Sequence, residues 1–404
     1  MEKFKGKNIA VLGLGVDTQD IVPWLEKQGA KVTVLDEKKG DKFEGLEKFD
    51  LIVRSPGVYR FRPELIAAEK AGVEISSKMK IFFDLCPAKI IGVTGTKGKG
   101  TTATLIYEIL KAAGKKVFLG GNIGTGVFEF LPQLDTDSWV VLELSSFQLV
   151  DLTRSPHVAV VLMTTSEHLD WHPTTQDYVD AKKNVVSHQS ASDFAVVNQD
   201  YPHSMEIGAV ALGQVVLVSG KDAASLTTRL RGPHNKENIA ATVAVAKIVG
   251  VPYEDAVASF AGLEHRLEEV ATVKGVTFYN DSFSTTPETA IAAIKAFTEP
   301  EIVILGGSSK NSDFKELGRV ISTTPNVKEV ILIGLEGPRI GQEIHGSVKV
   351  VTGGQTMAEI VKLAYNSATS GDVVLLTPAC ASFDMFKNYK DRGRKFKDQV
   401  KALL

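Results

Sequence analysis

Short runs of apolar, mostly β-branched residues alternate along this chain with longer stretches of helical pattern. The first three runs are NIAVLGLG, KVTVLD and DLIVRSPG, and segments such as DIVPWLEKQGA separate them. This alternation is typical of parallel strands joined by crossover helices. We therefore predict an α/β protein built on parallel sheets.

The pattern restarts twice, which indicates three α/β domains. A second set of strands begins with AKIIGVTGT and continues through SWVVLELSS and HVAVVLMT. A third set comprises GVTFYNDS, EIVILGGS, KEVILIG, VKVVTGG and GDVVLLTPA. Because 404 residues exceed what one hydrophobic core normally organises, we place the domains at residues 1–86, 87–263 and 264–404.

Charge and cysteine content narrow the classes of partner. The formal net charge of -2 gives no bulk electrostatic reason to expect a nucleic acid or an anionic membrane. The two cysteines, Cys86 and Cys380, are far apart and fit a reducing cytoplasm better than a disulfide framework or a zinc site. The apolar runs are far shorter than the roughly 20 residues of a membrane-spanning helix. We expect a cytoplasmic monomer that acts on small molecules.

The first strand ends in a glycine turn that half-matches a dinucleotide-binding fingerprint. Gly13 and Gly15 follow the strand, and Asp36 ends the next one, but Thr18 stands where the third glycine would be. A nicotinamide dehydrogenase is therefore a minor alternative. The turn either binds a nucleotide or diphosphate at a helix N-terminus or is merely a tight connection.

The segment GVTGTKGKGTT predicts a phosphate-binding loop that leads into a helix starting at Thr101. Gly95, Gly98 and Gly100 let the backbone wrap phosphate oxygens closely, and Lys99 can neutralise their charge. The usual loop has Ser or Thr after the lysine to hold Mg²⁺, whereas this chain has Gly100. Thr101 or a water molecule could take that place.

Two later strand ends carry polar side chains that suit metal chemistry. Glu143 ends the strand WVVLEL, and His168 and Asp170 lie in the loop SEHLDWHP after VAVVLM. Open parallel sheets place ligand-binding groups at such ends, where a carboxylate can hold Mg²⁺. Taken singly, a strand-end glutamate is more often structural, and a loop histidine more often only makes local hydrogen bonds.

The segment TTQDYVDAKKNVVSHQ predicts a helix capped by Thr174. Tyr178, Lys182 and Val185 recur at helical spacing and share one face, whereas Lys183 points away. Lys182 therefore lies on the apolar face of this helix. A lysine that extends its amine to solvent is the ordinary explanation.

The motifs in order resemble the Mur ligases over essentially the whole chain. They are TGTKGKGTT, GGNIG, ELSSFQL, EHLDWHP, GPHNKENIAA, GLEHRLE, NDSFSTTPETA, GGSSKNSDF and TPACASFDMFKNYKDRG. Of these, ELSSFQL, NDS and ACASFD are similar to the member that adds D-glutamate. The resemblance implies an N-terminal Rossmann-like UDP-binding domain, a central P-loop ATPase domain and a C-terminal Rossmann-like domain for the amino acid.

The resemblance also implies the reaction and its partners. ATP phosphorylates the carboxylate of UDP-N-acetylmuramoyl-L-alanine, and the amine of D-glutamate attacks the acyl phosphate. Mg²⁺, at two sites, would be held by Glu143, His168, Lys182 and Thr101, with Lys182 carbamylated. Lys99, Glu143, His168 and Lys182 would be the catalytic residues.

The family's binding residues map onto matching positions of this chain. The ATP site would comprise Gly95, Thr96, Lys97, Gly98, Lys99, Gly100, Thr101, Asn235, Asn238, Arg266 and Asp281, the last two when the C-terminal domain closes. The UDP part would contact Gly15, Val16, Asp17, Ser55 and Gly57. The muramoyl-alanine end would contact Asn122, Ser145 and Gln148. The D-glutamate pocket would comprise Thr285, Lys310, Ser382, Phe383 and Tyr389.

Four positions depart from the family pattern. Lys97 replaces an asparagine, Gly100 replaces a hydroxyl residue, Phe283 occupies a position often held by lysine, and Glu37 stands where the family often has a hydroxyl residue for the uridine. These departures leave two alternatives open. The chain could be a related ligase that adds a different amino acid, or a catalytically silent nucleotide-binding regulator.

Overall fold

Three sheets flanked by helices make up the described part of the chain. The structure is a computed structural model and describes residues 2–15, 18–309 and 311–404. It divides into two compact units, Met1–Leu226 with Lys236–Val257, and Thr227–Asn235 with Ala258–Leu404. The first two sheets belong to the first unit and the third sheet to the second. The predicted α/β class is confirmed, and the exact domain boundaries stay a prediction.

The first sheet has four parallel strands. They are β1 (Asn8–Leu12), β2 (Lys31–Leu35), β3 (Leu51–Arg54) and β4 (Glu74–Ser77), in the order β2-β1-β3-β4. The helices are α1 (Ile21–Lys27), α2 (Pro63–Lys70) and α3 (Lys78–Leu85). Because the chain crosses from one side of β1 to the other between β2 and β3, the loops after β1 and β3 flank a topological switch point. Ligands of open α/β sheets bind at such points.

The second sheet has six parallel strands. They are β5 (Lys89–Thr94), β6 (Val117–Gly121), β7 (Trp139–Glu143), β8 (Val158–Val161), β9 (Phe194–Asn198) and β10 (Gln214–Val218). The order β10-β9-β8-β5-β7-β6 puts β5 between β7 and β8. The helices are α4 (Lys99–Ala112), α5 (Val127–Phe130), α6 (Ser146–Leu149), α7 (Thr175–Lys183), α8 (Pro202–Gly208), α9 (Pro233–Val249) and α10 (Glu254–Ser259).

One hydrophobic core runs beneath both sheets of the first unit. Trp24 of α1 packs against Phe128 of α5 with ring centroids 4.6 Å apart, and Phe82 of α3 meets Phe128 edge-on at 6.4 Å. Such aromatic pairs add to the stabilisation that burial of their area gives. The first two predicted domains are therefore packed as a single unit.

The third sheet is mostly parallel with one antiparallel edge. Its strands are β11 (Glu268–Val273), β12 (Val276–Asn280), β13 (Glu301–Gly306), β14 (Val327–Ile333), β15 (Lys349–Thr352) and β16 (Val373–Leu376), in the order β11-β12-β16-β13-β14-β15. Only β11 and β12 of this described sheet pair antiparallel. The helices are α11 (Pro287–Ile294), α12 (Lys315–Thr323), α13 (Gly337–Gln342), α14 (Met357–Ser367) and α15 (Tyr389–Lys401).

The N-terminus of α7 agrees with the sequence-based prediction, whereas that of α4 does not. Thr174 caps α7 as predicted, with its Oγ1 accepting a hydrogen bond of 3.1 Å from the Asp177 backbone N–H. The predicted start of α4 at Thr101 is wrong, because the helix begins at Lys99. Gly98 has a φ of 88°, a left-handed conformation that turns the chain into the helix two residues earlier.

Among the described residues, no helix combines the length and apolarity needed to cross a bilayer.

Glu301, the first residue of β13, is fully buried. Its Oε1 accepts a hydrogen bond of 2.7 Å from the Asn326 side chain. Burial, and to a smaller extent the negative charge of Glu299, raise the pKa of Glu301 to about 8. The hydrogen bond from Asn326 offsets only part of this increase. The folded protein therefore keeps a proton on Glu301 at neutral pH.

We predict that Glu301→Gln flattens the pH dependence of stability. The folded pKa of about 8 lies above the ordinary value of 4.5, so Glu301 favours the folded state most below pH 4.5. Its contribution is lost as the pH rises towards 8, at up to about 1.4 kcal/mol per pH unit. Urea denaturation of wild type and variant from pH 5 to 8 measures this slope. An unchanged slope, matching that of a Glu47→Gln control at an exposed site, would contradict the prediction.

Candidate functional site

The glycine turn after β1 is closed by a hydroxyl and a carboxylate. Thr18 Oγ1 donates to the Gly13 carbonyl at 3.0 Å and accepts from the Gly15 N–H at 3.1 Å. Asp36 accepts from the Leu14 N–H at 3.2 Å. The threonine in place of the third glycine thus holds the turn together, which distinguishes it from the dinucleotide fingerprint. Of the predicted UDP contacts here, Val16 and Asp17 lie outside the described residues.

The turn after β3 lies beside the first turn. A side chain at Gly13 would come within 3.2 Å of Ser55 and Val58, so the two turns approach closely. The Ser55–Val58 turn is closed by its own hydrogen bond of 3.0 Å from the Val58 N–H to the Ser55 carbonyl. Ser55 and Gly57, both predicted to contact UDP, therefore lie at the switch point of the first sheet.

The loop that the sequence predicts to bind phosphate, called the phosphate loop below, lies between β5 and α4. Gly95 and Gly98 have φ values of 149° and 88°, which residues with side chains rarely adopt. The Lys99 side chain points back towards the loop, where its Nζ donates hydrogen bonds to the carbonyls of Gly95 and Thr96, both at 3.0 Å. The amine is therefore held over the turn where phosphate oxygens bind in such loops. Gly100 and Thr101 lie in the first turn of α4.

Thr96 ties the phosphate loop to the loop that follows β8. Its backbone N–H donates to the Met163 carbonyl at 2.7 Å, and its Oγ1 accepts from the Thr165 N–H at 3.0 Å. The same hydroxyl lies 3.1 Å from the Tyr178 hydroxyl on α7. These bonds fix the phosphate loop against both the β8 loop and α7.

Lys182 is buried at the centre of this arrangement. Its side chain is 1% exposed, and its Nζ donates to Thr94 Oγ1 at 3.2 Å and to the Gly95 carbonyl at 3.1 Å. The amine also lies over the ring of Tyr178, 4.5 Å from its centroid. The apolar face predicted for α7 is confirmed, and Lys182 does not extend to solvent. Lys183 instead pairs with Asp180 and Glu206, each at 2.7 Å.

Burial makes Lys182 an unusual lysine. Loss of water around the ammonium lowers its pKa well below the ordinary value, and the nearby charge of Lys99 lowers it further. Glu167 and Glu143 act in the opposite direction without reversing the shift. Lys99, Glu143 and Glu167 are therefore near enough to the amine for their charges to act on it. The strand order explains this grouping, since β7, β5 and β8 are neighbours and their carboxyl ends meet.

His168 occupies the loop after β8 in a left-handed backbone conformation, with a φ of 60°. Burial lowers the pKa of its imidazole, although the charges of Glu167 and Asp170 favour the protonated form. A neutral imidazole is the form that binds metal ions. Lys97, one of the departures from the family pattern, forms an exposed ion pair of 2.7 Å with Glu167.

Glu143 is buried at the end of β7, where its backbone carbonyl accepts from the Asn122 N–H at 3.0 Å. Ser145 and Gln148 follow at once and form a capping box on α6, with Gln148 Oε1 accepting from the Ser145 N–H at 3.0 Å. The predicted residues Asn122, Ser145 and Gln148 thus lie beside Glu143. Their contact with a substrate stays a prediction.

Within the described ranges, no three His, Cys, Asp or Glu side chains are grouped closely enough to hold a metal ion.

The two predicted asparagines of α9 fall in different units. Asn238 lies in the first unit directly over Gly98, so that a side chain at Gly98 would collide with its amide oxygen. The phosphate loop and α9 therefore pack together at Gly98. Asn235 lies in the second unit, where its Nδ2 donates to the Arg231 carbonyl at 2.6 Å.

In the second unit, Asp281 is buried at the end of β12. It accepts hydrogen bonds from the Leu267 N–H at 3.1 Å, from the Thr377 hydroxyl at 2.9 Å and from the Ser284 hydroxyl. Burial raises its pKa to about 6, because those hydrogen bonds and the charge of Arg266 only partly offset the loss of water. The predicted residue Thr285 lies in the loop after Asp281.

Phe283 supports an arginine instead of supplying a charge of its own. The Arg266 guanidinium lies over the Phe283 ring, 3.9 Å from its centroid, and Phe283 meets the ring of Tyr389 edge-on at 5.1 Å. A cation over an aromatic face is stabilised by the ring quadrupole. The charge beside Asp281 is therefore that of Arg266.

The strand order of the third sheet also gathers the predicted amino-acid residues. Since β12, β16 and β13 are neighbours, their following loops, with Asp281, Ser382 and Ser308, meet at one edge. The Phe383 N–H donates to Ser308 Oγ at 3.2 Å, and the Phe383 side chain is 73% exposed. Lys310, predicted to pair with a carboxylate of D-glutamate, lies outside the described residues.

Sequence reasoning missed two fully buried arginines. Arg392 donates to the Ser282 carbonyl at 2.9 Å and to the Cys380 carbonyl at 3.2 Å, so it joins the loops after β12 and β16. Arg54 joins the Ser55–Val58 turn to the segment around α6. A charged residue at the end of an apolar strand, as in DLIVRSPG, was the one signal for Arg54. None marked Arg392, which lies among other charges in KDRGRK.

Comparisons with known proteins identify the family. Residues 93–227 match the Mur ligase middle domain, and residues 265–380 match the Mur ligase, glutamate ligase domain. Solved structures with this fold include a MurF ligase from Thermotoga maritima in complex with ADP, with a TM-score of 0.62, 19% identity and coverage of 100% of this chain and 97% of that one. The MurC ligase from the same organism has a TM-score of 0.60, at 17% identity over 98% and 99% of the chains.

The chain belongs to the Mur ligase family. A relative from Symbiobacterium thermophilum is 39% identical over 98% of both chains, and one from Acetivibrio thermocellus is 38% identical over 100% of this chain and 98% of its own. Both relatives are named UDP-N-acetylmuramoylalanine--D-glutamate ligase.

We predict that Gly98→Ala destabilises the first unit more than Gly114→Ala does. Both glycines have positive φ values, 88° and 72°, so each substitution costs about 1 kcal/mol in backbone strain. Only Gly98 has Asn238 against it, whereas nothing lies within 4 Å of a side chain at Gly114. Urea denaturation should give a further loss of about 1–3 kcal/mol for Gly98→Ala. Equal losses at the two positions would argue against tight packing of the loop on α9.

Proposed function

We propose that this protein joins D-glutamate to UDP-N-acetylmuramoyl-L-alanine in an ATP-dependent step of peptidoglycan precursor synthesis. The names of full-length relatives at 39% and 38% identity carry this conclusion. The grouping of Lys99, Glu143, His168 and Lys182 around the phosphate loop supports it. The ADP complex of the MurF ligase from Thermotoga maritima supports the choice of nucleotide.

The phosphate loop would bind the nucleotide. Backbone N–H groups at the start of α4 and the Lys99 amine face phosphate oxygens in such loops, and the helix dipole adds to the attraction. We propose that Asn235, Asn238, Arg266 and Asp281 also contact ATP. The γ-phosphoryl group then passes to a carboxylate oxygen of the muramoyl-alanine substrate, and ADP leaves.

The second step forms the amide. The amine of D-glutamate attacks the acyl carbon, the bond from that carbon to the phosphate oxygen breaks, and inorganic phosphate leaves. The nitrogen gives up its extra proton as the amide forms. Positive charge beside the transferred phosphoryl group stabilises both steps, because negative charge accumulates on its oxygens. Lys99 supplies such a charge in this chain.

The donor set around Lys182 fits Mg²⁺ only in part. Glu143 offers a carboxylate and His168 a neutral imidazole, but a lysine ammonium repels a cation. Mg²⁺, when bound, would neutralise phosphate oxygens of ATP and of the acyl phosphate. We propose Glu143, His168, Thr101 and a modified Lys182 as the residues that hold it.

The modification that we propose for Lys182 is carbamylation. Burial lowers the pKa of this amine well below the ordinary value, which favours the neutral, nucleophilic form over the ammonium relative to an exposed lysine. Its nitrogen attacks CO₂, a C–N bond forms and one proton leaves, which converts the amine into a carbamate. The product is an oxygen ligand of negative charge, and such a ligand suits a hard cation.

The two switch-point turns and the second unit would bind the substrates. We propose that Gly15, Ser55 and Gly57 hold the diphosphate of UDP, and that Asn122, Ser145 and Gln148 lie along the muramoyl-alanine end. D-Glutamate would lie against Thr285, Ser382, Phe383 and Tyr389. Lys310, Val16 and Asp17 stay predictions from the family resemblance, as does the monomeric state.

Mass spectrometry of the products tests the proposed function. We expect ADP and UDP-N-acetylmuramoyl-L-alanyl-D-glutamate only when ATP, the muramoyl-alanine substrate and D-glutamate are all present with Mg²⁺. L-Glutamate, D-alanine and meso-diaminopimelate should give little product. Equal use of L-glutamate would overturn the amino-acid assignment. ATP binding without turnover would favour the regulator instead.

We predict that Lys182→Ala abolishes most turnover, whereas Lys183→Ala changes it little. Lys182 lies among the catalytic groups, while Lys183 pairs with Asp180 and Glu206 at the surface of α7. The loss at Lys182 should be on the order of 10²-fold or more in kcat. Added short carboxylates should restore part of the activity of Lys182→Ala by replacing the carbamate.

A ¹³C NMR spectrum of wild type in ¹³CO₂-bicarbonate should show a carbamate signal that Lys182→Ala lacks and Lys183→Ala retains. The same signal in all three proteins would count against carbamylation of Lys182. Similar losses of turnover at the two lysines would also contradict the assignment.

A further inference from the structure

Arg54 lies at the junction between the switch-point turn of the first sheet and the loops of the second sheet. It is the last residue of β3, its side chain is fully buried, and the whole network lies within the first unit. On one side its guanidinium donates to the carbonyls of Ser55, at 3.0 Å, and Val58. On the other side it donates to the Phe147 carbonyl of α6 at 2.8 Å.

A buried carboxylate compensates the charge of Arg54. Asp151, which follows α6, accepts from Arg54 Nε at 3.1 Å, and its side chain is 2% exposed. The Arg54 guanidinium also lies 5.9 Å from the ring centroid of Trp171, in the loop that carries His168. A single planar group therefore contacts three segments, and the donors of a guanidinium have a fixed geometry that an ammonium lacks.

The three segments correspond to the two ends of the proposed substrate. Under the proposed function, on which this inference rests, the Ser55–Val58 turn holds the diphosphate of UDP. The α6 segment and the His168 loop lie at the acyl end, where the new amide forms. The turn also has backbone hydrogen bonds that do not involve Arg54, from the Val58 N–H to the Ser55 carbonyl and from the Ser55 N–H to the Leu12 carbonyl.

We infer that Arg54 is a positioning residue that sets the distance between the UDP-binding turn and the reacting carboxylate. Binding energy from the nucleotide part of a substrate accelerates a reaction only if that part is held rigidly relative to the reacting atoms. Arg54 provides this rigid connection, because it bonds to backbone carbonyls on both sides and is itself held by Asp151. Its loss would let the UDP part bind while the carboxylate is misplaced.

The test compares Arg54→Lys with Arg60→Lys. Lysine at position 54 keeps a positive charge beside Asp151, so the buried carboxylate stays paired and the variant stays folded. It cannot reach the Ser55, Val58 and Phe147 carbonyls together. Arg60 also lies near Asp151, at 3.3 Å, and pairs with Glu69, but the structure gives it no bond to the Ser55–Val58 turn. Thermal unfolding of both variants confirms that they are folded.

We expect Arg54→Lys to lower kcat at saturating UDP-N-acetylmuramoyl-L-alanine by on the order of 10²-fold, the loss that a displacement of about 1 Å causes. The inhibition constant of UDP, which engages only one end, should stay within about twofold of wild type, because the Ser55–Val58 turn retains the backbone hydrogen bonds of Ser55 and Val58. Arg60→Lys should change neither value by more than about twofold, because lysine keeps the positive charge beside Asp151 and Glu69.

Three outcomes would overturn the inference. They are an unchanged kcat for Arg54→Lys, a loss of UDP affinity as large as the loss of kcat, and an equal loss of kcat for Arg60→Lys. If Arg54→Lys does not fold, Asp151→Asn replaces it in the same kcat and UDP measurements. This variant keeps Arg54 but removes the carboxylate that holds its guanidinium. A wild-type protein that ligates no substrate refutes the proposed function instead, so the two failures are distinguishable.

Discussion

The arrangement of the candidate site depends on one buried interaction, in which the Lys182 amine donates hydrogen bonds to Thr94 and Gly95 at the end of β5. Removing an ammonium from water is costly, so its pKa falls. The same bonds hold α7 against the phosphate loop, and Thr96 adds its contact with Tyr178. The bonds that position the phosphate loop therefore involve the same amine whose pKa is lowered by burial.

Sheet topology explains why these groups meet. In the second sheet β5 lies between β7 and β8, so the loops that carry Gly95, Glu143 and His168 emerge side by side. The same arrangement recurs in the first sheet at the β1 and β3 turns, and in the third sheet after β12, β16 and β13. Each sheet therefore gathers the loops after its central strands at one edge.

The sequence predicted the parts of the site that depend on local pattern. Strand ends placed Glu143 and His168, and helical spacing placed Lys182 on a buried face. The start of α4 was missed because it depends on the backbone conformation of Gly98, which residue identity does not fix. Hydrogen-bond partners that are distant in sequence could not be predicted either. Lys182 bonds to residues 87 and 88 positions away, and Arg54 to an aspartate 97 positions away, and a single sequence carries no signal for such pairs.

In the proposed reaction, the phosphoryl group of ATP is transferred to the carboxylate of the muramoyl-alanine substrate before the amide forms. The most direct measurement uses substrate with both oxygens of that carboxylate labelled with ¹⁸O, followed by mass analysis of the inorganic phosphate. We predict one ¹⁸O atom in the phosphate, since the bridging oxygen of the acyl phosphate leaves with phosphorus when the amide forms. Unlabelled phosphate alongside normal amide product would contradict it.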